Sequence, residues 1–134
     1  MTNQEKKQYL EQYRTAQQKA KWLEEKIIEW GERAEGLRSV GGGAAGSGEN
    51  SMQACLDKVI EYQNRLTESV KREMQVLERV EKAIASVQDE RLRLLLSYRY
   101  INGEKWESIA VKMGYDYRWT LRLHGRALEK IRIR

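Results

Sequence analysis

The sequence predicts an all-α protein: a long antiparallel helical hairpin, coiled-coil-like, followed by a C-terminal three-helix helix-turn-helix domain. Three observations carry that expectation. The 134-residue chain has no proline and is 34% charged, and Glu, Lys, Arg and Gln lose little rotamer freedom in a helix. Apolar residues recur at heptad spacing through most of the first 88 positions. Charge then changes abruptly. Residues 1–88 hold 14 Lys/Arg and 14 Asp/Glu, whereas residues 89–134 hold 11 and 6, so the whole net charge of +5 lies in the last third. The sequence thus divides into a neutral hairpin, 1–88, and a basic helix-turn-helix domain, 89–134.

Residues 3–38 read as one helix. Tyr9, Tyr13, Ala16, Ala20, Leu23, Ile27, Trp30, Ala34 and Leu37 are spaced alternately by four and three, an unbroken seam of the kind that packs helices side by side. Such a helix is about 54 Å long and cannot bury its stripe alone. Residues 39–50, SVGGGAAGSGEN, read as a flexible Gly/Ser joint, with Asn50 or Ser51 capping the next helix. Residues 51–87 repeat the stripe through Met52, Cys55, Val59, Tyr62, Leu66, Val70, Leu77, Val80, Ile84 and Val87, less strictly near Glu73 and Met74. Two such helices joined by glycines predict an antiparallel hairpin. Pairing with a second chain as a homodimer is the competing arrangement.

The basic third reads as three shorter helices. DERLRLLLSYRYING starts near Asp89 and stops at Asn102-Gly103; EKWESIAVKMG ends at Gly114; YRWTLRLHGRALEKIRIR follows a Tyr115-Asp116 turn. Ile109, Ala110 and Met113 give the second helix a narrow apolar face. Asp116 is placed to cap the third, and Leu123, Leu128 and Ile131 to anchor it, with Thr120 and Ala127 at tight contacts. The opposite face carries Arg118, Arg122, Arg126, Lys130 and Arg134, and Glu129 is the only acidic residue from Tyr117 onward. A helix fits the DNA major groove, where arginine binds guanine O6 and N7 in a bidentate way. Tyr117, Arg118, Leu121 and Arg122 are best placed to meet bases; Arg126, Lys130 and Arg134 are assigned to phosphates. The expected partner is double-stranded DNA.

Other chemistry finds little support. His124 has no ligand-spaced Cys, His or carboxylate and no nucleophile pattern, so it reads as a packing or phosphate-proximal residue and neither metal site nor catalytic base is predicted. Cys55 lies on the stripe as a small hydrophobe. Gly41-Gly42-Gly43 and Gly46-x-Gly48 follow no strand and precede no Gly-Lys-Ser/Thr, so a phosphate-cradling loop is excluded. Trp106 and Trp119 read first as core residues, stacking on a base being the alternative. No catalytic residue, cofactor or membrane span is expected. The absence of an apolar leader and the single cysteine predict a soluble, cytoplasmic protein.

The span DERLRLLLSYRYINGEKWESIAVKMGYDYRWTLRLHGRALEKIR resembles region 4 of sigma-70-type factors. The resemblance rests on a leucine-rich helix ending in Arg99-Tyr100 and Gly103, then Glu107-x-Ile109-Ala110, Met113-Gly114 and Arg126-Ala127-Leu128-x-Lys130-Ile131-Arg132. It is greatest to small sigma-like proteins of Gram-positive phages and prophages, the late-gene transcriptional regulators. Their terminal helix has the form matched here by Leu121-Arg122-Leu123-His124-Gly125-Arg126-Ala127-Leu128. Two departures stand out. Asp116 replaces the usual Ser or Thr, and Tyr117-Arg118-Trp119 replaces Arg-Glu-Arg. Regions with which a complete sigma factor melts DNA have no counterpart. The resemblance therefore implies a DNA-binding activator or accessory factor in a bacterial host cell. Because region 4 also contacts RNA polymerase, it implies an alternative: an interaction module that grips polymerase or a host factor, through this domain or the hairpin, without reading DNA.

Overall fold

A computed structural model describes residues 1–40 and 47–133, apart from the side chains of Val40 and residues 47–49. The fold is all-α. Two long helices, α1 (Asn3–Val40) and α2 (Ser47–Ala85), form the hairpin. Three short ones follow: α3 (Glu90–Leu96), α4 (Trp106–Met113) and α5 (Tyr117–Lys130). The joint predicted at 39–50 is narrower than expected. Ser39-Val40 and residues 47–50 are helical, and 41–46 lie outside the described residues. Each residue added to a long helix gains a hydrogen bond without a new nucleus, so helix extends into a glycine-containing sequence. Asn50 and Ser51 consequently lie inside α2 and cap nothing.

The chain packs as two compact units, Met1–Ala16 with Glu73–Arg134, and Gln17–Arg72. This division differs from the 88/89 boundary that charge suggests. In the first unit the beginning of α1 and the end of α2 share one core with the three short helices. That core joins Leu10 and Tyr13 to Val76, Val80 and Ile84, and these to Leu95, Leu96, Ile109, Leu123 and Ile131. In the second unit Ala20, Leu23, Ala34 and Cys55 are buried, and Trp22 meets Tyr62 edge-on with centroids 6.0 Å apart.

On α1 the seam residues are buried or half-buried throughout. On α2 the stripe departs from the expectation. Val70 is 40% exposed, while Ser69 and Val76 are buried. Buried and half-buried positions 55, 59, 62, 66, 69, 73, 76 and 80 keep a regular alternation of four and three, with Leu77 half-buried beside Val76. The seam is thus unbroken, but two of its positions are held by Ser69 and Glu73.

Local chemistry fixes the short helices. Asp89 caps α3, its carboxylate accepting the Arg91 N–H at 2.9 Å. After Leu96 the helix widens into a π turn, Ser97–Ile101, in which Asn102 N–H reaches the Ser97 carbonyl. Gly103 ends it at φ 70. Helix α4 starts at Trp106, two residues later than the sequence suggests, and ends at Gly114, φ 73, with Tyr115 N–H closing on the Ala110 carbonyl at 2.9 Å. That closure needs a left-handed residue, which glycine supplies without a Cβ penalty.

Candidate nucleic-acid interface

Helix α5 is held at its start, along its inner face and at its end. At the start Asp116 Oδ1 accepts the Trp119 N–H at 2.8 Å, and the Thr120 hydroxyl donates to the Asp116 carbonyl at 2.8 Å. Along the inner face Thr120, Leu123, Ala127 and Leu128 are buried. Thr120, Leu123 and Ala127 are fully so. At the end Lys6 Nζ, from α1, donates to the carbonyls of Leu128 and Glu129 at 3.0 and 3.2 Å. A cation at a helix C-terminus complements the negative end of the macrodipole. Ile131 closes the core and Arg132 N–H donates to Ser86 Oγ at 2.9 Å. The three-residue turn Gly114–Asp116 sets α5 against α4 as the second helix of a helix-turn-helix.

With its inner face locked, α5 presents the other to solvent. Tyr117, Arg118, Leu121, Arg122, Arg126 and Lys130 are all exposed, the apolar pair Tyr117 and Leu121 by 45% and 37%. The six predicted positions within the described residues therefore lie on open surface of one helix; Arg134 lies outside them. Among the described residues none of Arg118, Arg122, Arg126 and Lys130 is in an ion pair. The Arg126 guanidinium sits 5.1 Å from the Trp119 ring centre, a cation–π contact that fixes its direction without neutralising it. Trp119 is half-buried beneath it.

Trp106 and His124 belong to the support. Their ring centres lie 4.4 Å apart, and the Arg99 guanidinium lies over the Trp106 ring, 4.9 Å from its centre. Tyr100 O–H and His124 Nε2 are 2.6 Å apart. Burial, with the nearby charges of Lys7 and Arg99, pushes the His124 pKa down to about 4. Burial likewise raises that of Tyr100, Glu11 adding to it and Arg99 opposing. At neutral pH the bond therefore joins an uncharged phenol and an uncharged imidazole, and the imidazole tautomer sets its direction.

Two residues on the exposed side escape a reading based on arginines. Gly125 and Glu129 continue the line from Arg118 and Arg122 at steps of four, three and four. No atom lies within 4 Å of where a Cβ on Gly125 would stand, so packing within the chain does not require glycine there. The step pattern was the available signal for both.

No protein family, curated protein or solved structure matches the chain. Among the described residues no group of three or more His, Cys, Asp and Glu could hold a metal ion, and no helix is long and apolar enough to cross a membrane.

Proposed function

We propose that this chain is a sequence-specific, DNA-binding transcription regulator that lays the exposed face of α5 in the major groove. The observation that carries the reading is the row Arg118, Arg122 and Arg126. Three guanidiniums step by four along the open side of a capped helix whose other side is locked in the core, and no carboxylate pairs with them among the described residues. Arg118 and Arg122, in the first two turns, reach guanine edges; Leu121 meets a thymine methyl, and Tyr117 flanks the pair. Arg126 and Lys130 hold phosphates and set the register. The resemblance to region 4 of sigma-70-type factors gives this arrangement its setting, activation of late genes of a phage or prophage.

Affinity for duplex DNA across a salt series tests the reading. Arg122→Ala should cost about 1–3 kcal/mol on the selected site and relax its sequence preference, whereas Arg126→Ala should weaken all duplexes alike and lower the salt slope by about 1. Equal affinity and equal preference for wild type and Arg122→Ala would remove Arg122 from the interface.

A second reading is that this domain grips a protein partner such as RNA polymerase, which could cover exposed apolar side chains such as Val111 on α4, 82% exposed, or Leu94 on α3, 46% exposed. Recovery of polymerase from nuclease-treated lysate by a protein without DNA affinity would support that reading over the first.

A further inference from the structure

Arg79 and Lys82 stand in the last two turns of α2, in the part of the chain whose charge sums to zero. They line a groove of about 1090 Å³ together with Lys130 at the end of α5 and Arg132 beyond it. All four side chains are exposed, and none is in an ion pair among the described residues. Two carboxylates also reach the groove, those of Asp89 and Glu129. Asp89 is already engaged: Oδ1 accepts the Arg91 N–H and Oδ2 lies 3.5 Å from the Arg91 guanidinium. That leaves Glu129 alone against four cations.

A groove between helix C-termini would ordinarily repel anions, because the last carbonyls carry partial negative charge. Here several carbonyls at or just past those ends are already matched by other cations. Lys6 takes the Leu128 and Glu129 carbonyls at the end of α5. Arg93 Nη1 takes those of Val87 and Gln88, just past α2, at 2.7 and 2.8 Å. The four rim cations are therefore in surplus and open to an external anion.

We propose that this groove is a second phosphate-binding surface, gripping the backbone of the same duplex that α5 reads. The inference rests on the DNA-binding reading and extends its footprint onto α2. Lys130 supplies the continuity, being both the last step of the arginine row and part of the groove rim. From Arg118 to Lys130 the helix rises about 18 Å, roughly half a turn of B-DNA, so one duplex spans both. This continuity favours a DNA backbone over an acidic protein segment.

The test measures binding of a random-sequence DNA duplex and of poly-glutamate to wild type, Arg79→Gln/Lys82→Gln and Arg118→Ala/Arg122→Ala over a salt series. Thermal melting confirms that each variant folds. The α2 pair should weaken every duplex by the same factor, roughly 10- to 60-fold at 0.1 M salt, and reduce the log–log salt slope by about 2. Wild-type duplex binding that the α2 pair leaves unchanged in affinity and slope overturns the inference and leaves the DNA reading standing. Poly-glutamate binding lost in the α2 pair while duplex binding persists overturns it in favour of an acidic protein partner. No duplex binding by wild type overturns the DNA reading and the inference together.

Discussion

Lys6 and Leu128, 122 positions apart, meet through a hydrogen bond of 3.0 Å from ammonium to carbonyl. The contact fastens the first turns of α1 to the last turn of α5, beside the side chains that complete the shared core. Lys6→Met keeps the apolar stem and removes the charge. It should lower the unfolding free energy by about 1 kcal/mol, from the lost dipole interaction and hydrogen bond. Urea unfolding reads this as a lower midpoint at unchanged slope; an unchanged midpoint would mean that water satisfies those carbonyls equally well.

His124 makes stability depend on pH. Its folded pKa is about 4 against an ordinary 6.5, burial being the chief cause. Above pH 6.5 both folded and unfolded chains hold it neutral, and it contributes no slope. As pH falls from 6.5 to 4 the unfolded chain takes the proton first, so stability declines, by about 2–3 kcal/mol in all. His124→Gln can still accept the Tyr100 hydroxyl and should flatten that window. A pH series of melting temperatures that falls equally for both proteins would assign the decline to other groups.

Asp116 determines where α5 begins. Asp116→Ala should cost about 1 kcal/mol, and Asp116→Ser, which retains an acceptor oxygen for the Trp119 N–H, should recover most of it. Chemical denaturation of the three proteins measures both steps. Equal stability of the Ala and Ser variants would show that the cap carries no net energy.

Much of this could be read in the sequence, and the residues show why the rest could not. The Asp116 cap, the Gly114 stop and the buried set Thr120, Leu123, Ala127, Leu128 and Ile131 follow from short-range rules, and the structure has them as expected. On α2 apolarity misled. Val70 was the greasier choice, yet the seam passes through Ser69 and Glu73, because helix geometry fixes which positions face a neighbour whatever occupies them; Leu77, as expected, packs half-buried against the core. Leu10 lies off the α1 heptad and is completely buried. There α1 meets the short helices as well as α2, so a wider face is covered than a two-helix seam requires. Such burial depends on chain segments more than 60 positions away and leaves no local periodic trace. The groove that brings Arg79 and Lys82 to Lys130, some 50 positions along the chain, likewise leaves no local trace.

Gly125 separates stability from binding. It sits half-buried in a helix interior, where alanine is favoured by about 0.5–1 kcal/mol, and no other part of the protein comes within 4 Å of the added methyl. Gly125→Ala should therefore melt higher. If a DNA backbone approaches this part of α5, the same change should weaken duplex binding. Higher melting with unaltered DNA affinity would place the contacting strip elsewhere on the helix.

The exposed face of α5 is best tested by unbiased selection of oligonucleotides with the purified protein, run in parallel with Arg122→Ala. Wild type should enrich one short motif containing guanine, and the variant should lose preference at one position of it while retaining salt-dependent binding. A wild-type pool no different from the starting library, or an identical motif from the variant, would contradict that expectation.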